Sequence, residues 1–291
     1  MSRCRKITYL GNIKDETLTL KIGNKGSADI RMYDGKDTVD VTMGAGAKEV
    51  SISSGKGNDK VKVVATSGNV TVHGDEGNDK IEAQLLGAAG KAAIHGDAGV
   101  DTIQVAVANA AGTDIYGDAG DDNIEADAQY GAANLNIYGG ADDDTVSIRK
   151  SDAEVNDNNT GSVRIDLGKG ADRLNVDLST AYTFGSIEVD GGNDNEKGGK
   201  DTAGDRLHLT GILDTTLNAD SRLKWADGSK NVIQASVYGT KYAYTQTTSE
   251  TVKQAVDNLL MGHQSIKIKG INVLERVGDI ALCNKAPKMA A

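Results

Sequence analysis

Acidic side chains and glycines recur together in this chain as six copies of a six-residue motif. The copies are SGKGND (Ser54–Asp59), GDEGND (Gly74–Asp79), GDAGVD (Gly96–Asp101), GDAGDD (Gly117–Asp122), GGADDD (Gly139–Asp144) and LGKGAD (Leu167–Asp172). Their last aspartates follow one another at intervals of 20, 22, 21, 22 and 28 residues. Glycine lets a turn adopt positive φ and direct its carbonyls inward, and short aspartates add carboxylate oxygens. Each copy is therefore suited to bind a hard cation through oxygen.

The charge of these copies points to the same chemistry. Together they contain thirteen acidic residues and only two lysines, Lys56 and Lys169. If the copies stack about 4.8 Å apart, as neighbouring strands do, two adjacent charges repel by about 1 kcal/mol even in water. A bound cation would offset this repulsion. We expect Ca²⁺, because Mg²⁺ demands tighter octahedral geometry and zinc or copper prefer His or Cys, which the copies lack.

Short strands flank every copy. The segments that follow, such as KVKV, KIEA and TIQV, and those that precede, such as EVSIS, NVTVH and KAAIH, alternate polar and apolar residues. An alternation of period two indicates a strand with one buried face. Two such strands in about 21 residues cannot bury an apolar face alone, so neighbouring repeats must stack and share a core.

The sequence therefore predicts an all-β fold, a parallel β-helix or β-roll with coils of about 21 residues. One inward ladder is expected from Val61, Ile81, Ile103, Ile124, Val146 and Leu174, and the facing one from Ile52, Val72, Ile94, Ile115, Ile137 and Ile165. We assign residues 1–28 to N-terminal strands that cap the helix and 29–212 to the calcium-binding helix. The segment 190–205, DGGNDNEKGGKDTAGD, is either an elaborated metal loop or a surface insertion.

The copies resemble the nonapeptide G-G-x-G-x-D-x-U-x of RTX (repeat-in-toxin, hemolysin-type) calcium-binding proteins. The resemblance covers about Ser54 to Val176, and more loosely Asp29 to Leu209. RTX rolls carry a nonapeptide at both corners of a coil, whereas here one corner per coil is acidic, so we expect one row of ions.

The resemblance implies that each ion lies between consecutive turns, so that six turns frame five sites. The implied ligands are the carboxylates of the sixth position and residues of the first and third positions. They are Asp59, Gly74, Glu76, Asp79, Gly96, Ala98, Asp101, Gly117, Ala119, Asp122, Gly139, Ala141, Asp144 and Asp172. The second-position residues Asp75, Asp97 and Asp118 contribute only if they turn inward, and otherwise they are solvated surface acids.

A column of aromatic residues is expected beside the acidic corners. His73, His95, Tyr116 and Tyr138 each precede a copy of the motif. They would stack either as a structural or ligand-facing ladder or, for the two histidines, as a metal-binding pair. The chain has no HExxH, GxSxG or Walker-type motif, so we expect no enzyme activity.

The C-terminal part differs in character. Residues 213–291 predict a small α+β module that closes the helix. Its hairpins turn at Asp227–Gly228 and Gly239–Thr240, its helix spans Thr247–Gly262 with Thr247 and Glu250 as a capping box, and the strand SIKIKGINVL follows. Cys4 and Cys283, one near each end, are two unrelated thiols or form a terminal or intermolecular disulfide.

The composition of the chain excludes some classes of partner and favours others. The formal net charge of −10 disfavours nucleic acid as a partner, and no apolar stretch is long enough to insert into a membrane. The N-terminus lacks the apolar region of a secretory signal, and RTX proteins typically leave bacteria by type I secretion with an uncleaved C-terminal signal. We expect a secreted structural protein that self-associates head to tail in a surface layer, fibre or biofilm matrix. The alternative is a calcium-dependent folding or secretion module of a toxin, adhesin or exoprotein, which could bind polysaccharide.

Overall fold

The structure, a computed structural model, describes residues 6–108, 111–129, 134–149, 161–177, 186–191 and 206–210, together with five later strands. In this part of the chain the fold is all-β, a parallel β-solenoid of about seven turns of roughly 22 residues. The described residues include no helix long and apolar enough to cross a membrane.

Twenty-one strands make up the described fold. In chain order they are β1 (Lys6–Leu10), β2 (Thr17–Ile22), β3 (Ser27–Arg31), β4 (Thr38–Met43), β5 (Glu49–Ser53), β6 (Lys60–His73), β7 (Lys80–Ala98), β8 (Thr102–Val107), β9 (Gly112–Ala119), β10 (Asn123–Ala128), β11 (Leu135–Ala141), β12 (Thr145–Arg149), β13 (Ser162–Lys169), β14 (Arg173–Asp177), β15 (Ser186–Asp190), β16 (Arg206–Thr210), β17 (Lys224–Trp225), β18 (Val232–Val237), β19 (Thr240–Thr245), β20 (Ser265–Lys269) and β21 (Val273–Arg276).

The strands stack as two parallel faces that meet at the acidic corners. The strands that precede an acidic corner in the chain form one face, the pre-corner face, which contains β1, β3, β5, β9, β11, β13 and β15. The strands that follow an acidic corner form the other, the post-corner face, which contains β2, β4, β8, β10, β12, β14 and β16. The long strands β6 and β7 run through both faces, because their mutual pairing continues through the second corner, where Gly68 and Gly87 have positive φ and the register shifts. Residues 6–28 are therefore part of the stack, since β1 pairs with β3 and β2 with β4.

Both predicted apolar ladders are confirmed. On the post-corner face Ile103 pairs with Ile81 on one side and Ile124 on the other. On the pre-corner face Ile115 pairs with Ile94 and Ile137 in the same way. Every member of both ladders is at most 1% exposed. The core is thus a column of β-branched and leucine side chains whose equivalents lie directly above one another.

Glycine is required where successive corners approach most closely. At Gly99, the fourth residue of its motif, φ is 141° and a Cβ would lie 1.7 Å from the carbonyl oxygen of Gly77 in the preceding coil. No side chain fits there, so the repeated glycine sets how tightly the corners stack.

The C-terminal strands depart from the predicted module. β20 pairs in parallel with β15, and β21 pairs with β16, so these strands continue the two faces of the solenoid. β17, β18 and β19 form an antiparallel set, and β19 joins β20 in parallel. A separate α+β module over 213–291 is therefore not supported. The predicted helix at 247–262, residues 192–205 of the acidic insertion, Cys4 and Cys283 lie outside the described residues.

Candidate metal-binding corners

A column of buried aspartates runs along the inside of the acidic corners. Its members are Asp37, Asp59, Asp79, Asp101, Asp122, Asp144 and Asp172, and each is at most 3% exposed. Six of the seven are the sixth-position residues that the sequence predicts. Asp37 is the one that lies outside the six copies identified from the sequence: its motif, MYDGKD, has Met32 at the first position, although Gly35 at the fourth position, with φ of 140°, and the 22-residue spacing to Asp59 match the other copies.

One oxygen of each aspartate binds the neighbouring coil. The backbone N–H of Asp79 donates to Oδ1 of Asp101 at 2.7 Å, and the N–H of Asp101 donates to Oδ1 of Asp122 at 2.7 Å. The same bond repeats along the column and starts at Glu16, whose N–H donates to Oδ1 of Asp37 at 2.7 Å. The Oδ1 atoms therefore satisfy a buried backbone amide at each corner.

The second oxygen has no such role. Oδ2 of Asp79, Asp101, Asp122 and Asp144 is buried without a hydrogen-bond partner among the described residues. A Cβ built on Gly74 would lie 2.7 Å from Oδ2 of Asp79 and 2.4 Å from the carbonyl oxygen of Gly96. The first-position carbonyl of one coil thus converges with the carboxylate of the coil before it, and the carboxylate oxygen of this pair lacks a donor among the described residues.

The first corner differs because serine occupies its first position. The Ser54 hydroxyl, fully buried, donates to the carbonyl oxygen of Gly74 at 2.8 Å. Burial raises the pKa of Asp59 to about 6, and a hydrogen bond from Ser54 acts against that rise. This corner therefore has a donor for its carbonyl oxygen, whereas Oδ2 of Asp59 is buried without a hydrogen-bond partner among the described residues, as at the other corners.

Burial makes the negative charge of the column costly. It raises the pKa of Asp79 and of Asp122 to about 7, that of Asp101 to about 6 and that of Asp144 to about 8. Neighbouring carboxylates add to the rise at each position, and burial also raises the pKa of Asp37. A proton or a cation at these oxygens would stabilise the corner.

The predicted third-position carbonyls each accept a backbone hydrogen bond from the preceding coil. The carbonyl of Ala98 accepts the N–H of Gly77 at 2.9 Å. Glu76, Ala119 and Ala141 accept equivalent bonds from Gly57, Gly99 and Gly120. The Glu76 carboxylate instead pairs with Nζ of Lys56 at 2.8 Å on the surface. Among the predicted ligands, the structure therefore brings together the first-position glycines and the sixth-position aspartates.

The second-position aspartates lie on the outer side of the corner. Asp75, Asp97 and Asp118 have φ between 65° and 74°, a conformation that Asp tolerates better than most side chains. Oδ2 of Asp97 accepts the N–H of Asp75 at 3.1 Å and lies 3.0 Å from Nδ1 of His73 in the preceding coil. Asp118 meets His95 in the same way at 2.9 Å.

The expected aromatic ladder is confirmed. The rings of His73 and His95 stack at 4.6 Å between centroids, His95 and Tyr116 at 4.3 Å, and Tyr116 and Tyr138 at 4.7 Å, all within 11° of parallel. The ladder runs beside the second-position aspartates, opposite to the side on which the buried column lies.

No protein-family model matches the chain, and no curated protein matches it. The class of the molecule is thus defined by its fold and its corners: a parallel β-solenoid with a buried aspartate column along one edge.

Proposed function

We propose that the protein is a calcium-binding solenoid in which cations occupy the acidic corners and hold the stacked coils together. The observation that carries the proposal is the row of buried Oδ2 atoms that lack a donor in Asp79, Asp101, Asp122 and Asp144. Each converges with a first-position carbonyl oxygen. A buried anionic oxygen left without a partner costs about 1–3 kcal/mol or more, and a cation at each corner removes that cost.

The donor set selects the ion. Only oxygen atoms converge at these corners, one from a carboxylate and one from a carbonyl, and hard oxygen sites suit Ca²⁺. The sixth-position aspartates would hold the ion with the first-position carbonyls Gly96, Gly117 and Gly139. Because calcium takes six to eight oxygens, consecutive corners and water would complete its shell.

A proton is the competing occupant. A protonated Oδ2 would donate to the adjacent carbonyl, and the raised pKa of Asp144, about 8, favours protonation when no metal is bound. The two occupants differ in one measurable respect, because only calcium makes stability depend on the concentration of the ion.

The biological role that we propose is structural and extracellular. The resemblance of the motif to RTX repeats supports export by type I secretion, and calcium sites of extracellular modules have affinities of roughly 10⁻⁴–10⁻³ M. The first coil supports assembly of copies head to tail: β1 and β2 each pair with one strand among the described pairings, and Leu10 and Ile13 are 58% and 76% exposed. Such an end could extend a neighbour's sheets.

The test is a calcium titration of the chelator-stripped full chain. We expect binding of several ions per chain by calorimetry and a melting temperature that rises with calcium, since a ligand at 100 times its Kd adds about 2.7 kcal/mol per site. Mg²⁺ at the same concentration serves as the control and should stabilise less. A chain that binds no calcium and melts at the same temperature with and without chelator would refute the proposal.

A further inference from the structure

We propose that His73, His95 and Asp97 form a second metal site, for a divalent transition-metal ion of the zinc or copper class. One ligand atom from each of the three residues lies within 4.8 Å of the other two. The cluster is on the outer side of the corners and is independent of the calcium site proposed above.

Stacking of the coils already orients the ligands. The two imidazole rings are within 11° of parallel at 4.6 Å, so equivalent nitrogens lie side by side. Oδ2 of Asp97 lies 3.0 Å from Nδ1 of His73, and Oδ2 of Asp118 lies 2.9 Å from Nδ1 of His95. The lone pairs of stacked rings run parallel, and Zn–N bonds of about 2.0–2.1 Å allow at most about 4.2 Å between two ligand nitrogens. Rotation of the two rings toward each other, out of the stack, would therefore allow both nitrogens and the Asp97 carboxylate to bind one ion.

The donor chemistry differs from that of the buried column. Two imidazoles with one or two carboxylates suit zinc and copper, whereas calcium prefers oxygen alone. The side chains of His73, His95 and Asp97 are 38%, 23% and 29% exposed, so an ion can reach them from solvent.

The residues that precede the other corners show where nitrogen ligands occur along the aromatic ladder. One coil earlier, the hydroxyl of Ser53 donates to Asp75, so a simple donor suffices to satisfy a second-position aspartate. Further along, Tyr116 and Tyr138 keep the stack beside coils whose second position is glycine, Gly140 and Gly168. Among the described coils, two stacked imidazoles with a carboxylate beside them occur in the aromatic ladder only at His73 and His95.

The experiment uses the full chain in excess calcium, titrated with Zn²⁺ by calorimetry. We expect one Zn²⁺ per chain, and His73→Tyr and His95→Tyr should each lower the Zn²⁺ affinity by more than about tenfold, because even residues that only orient a ligand contribute 10–100-fold. Tyrosine occupies the same position in the next two coils, so the stack should persist, and an unchanged melting temperature in chelator checks this. Glu125→Gln, at an exposed position of β10, is the control and should leave the affinity unchanged.

Two further measurements make the assignment specific. Tyr116→His in the His73→Tyr background moves the same pattern one coil further, with His95 and Asp118 as the other ligands, and should restore the Zn²⁺ binding that His73→Tyr removes. Asp97→Asn keeps an oxygen for the N–H of Asp75 but removes the charge, and should weaken Zn²⁺ binding without loss of the fold. Absence of Zn²⁺ uptake by the native chain, or uptake that both histidine variants leave unchanged, would overturn the proposal.

Discussion

The Ser54 hydroxyl donates to the carbonyl oxygen of Gly74 at 2.8 Å, at the position where the next four corners have glycine. It gives the carbonyl oxygen at this corner a side-chain donor and fills the space that glycine leaves open at the other corners, while Oδ2 of Asp59 stays without a hydrogen-bond partner among the described residues. Ser54→Gly should therefore increase the number of calcium ions bound per chain by one. Gly96→Ser should decrease it by one, because a Cβ there lies 2.6 Å from Oδ2 of Asp101 and 2.7 Å from the carbonyl of Gly117.

The stoichiometry in both variants is read by calorimetry against native protein. Ser51→Gly is the matched control, because Ser51 lies in β5 on the same coil but away from the corner. Equal stoichiometry in Ser54→Gly and the control would show that the hydroxyl does not replace an ion.

Replacement of Asp101 separates its two oxygens. Asp101→Asn keeps the acceptor for the N–H of Asp79 and places an amide donor beside the Gly117 carbonyl, so the chelated variant should be at least as stable as the native chain. It should nevertheless respond less to calcium. Asp101→Ala removes the acceptor and should lower the unfolding free energy by about 1–3 kcal/mol with or without calcium.

Urea unfolding with chelator and with calcium measures both variants. Asp121→Asn, at the exposed apex of the adjacent corner, is the control, since its side chain accepts only the N–H of Asp143 in the described contacts. A chelated Asp101→Asn protein that is as unstable as Asp101→Ala would contradict the assignment of Oδ2.

The chelated protein should become less stable as pH rises from about 4 to about 8. Burial raises the pKa of Asp79 to about 7 and that of Asp144 to about 8, from an ordinary value of 3.8. The folded chain then holds protons that the unfolded chain releases, so this stabilisation is present at low pH and is lost as pH passes the folded-state pKa. The raised pKa of His73, caused mainly by its hydrogen bond with Asp97, acts with the same sign.

Melting temperatures across this range, with chelator and with millimolar calcium, test the effect. Calcium should remove most of the decline, because it competes with protons for the same carboxylates. A melting temperature that rises with pH in chelator would be incompatible with a protonated column.

The sequence predicts the two apolar ladders and the sixth-position column because both depend on period and spacing alone. It could not predict that the third-position carbonyls are engaged, since this depends on parallel pairing that continues through the corner, as between Glu76 and Ala98. The contact of His73 with Asp97 joins residues 24 apart and depends on the side chain that each corner turns outward. Asp37 was missed because bulky residues, Met32 and Tyr33, occupy the first two positions of its motif, although Gly35 and the burial of Asp37 match the other corners.

Gly99→Ala should disrupt the stack. Its φ of 141° and the 1.7 Å approach of the Gly77 carbonyl leave no room for a methyl group, so we expect a loss of roughly 3 kcal/mol or more. Gly112→Ala is the matched control, because a Cβ there meets only the Asn134 carbonyl oxygen at 3.8 Å. Chemical denaturation compares the two, and equal stability would mean that the corners stack less tightly than described.

Assembly should depend on the first coil. Leu10→Lys places a charge on the 58% exposed end residue of β1 and should suppress calcium-dependent polymers. Val100→Lys, at a 52% exposed position in the middle of the rod, should not. Sedimentation velocity and electron microscopy at millimolar calcium would show the difference. A native chain that stays monomeric at all concentrations argues for the folding-module alternative and leaves the calcium corners unaffected.

The amide-to-carboxylate bonds of the buried column all run the same way, from each coil to the one that follows it in the chain. The corner amide of each coil is therefore satisfied by the aspartate of the next coil. The solenoid is polar as a result, and its two ends differ. If the C-terminal coils fold first, each carboxylate is in place before the coil whose backbone N–H donates to it. If the chain folds from the N-terminus instead, the last coil to have folded carries a corner amide whose acceptor, the aspartate of the next coil, is not yet in place. The direction of folding therefore decides which coil is the least stable at each stage.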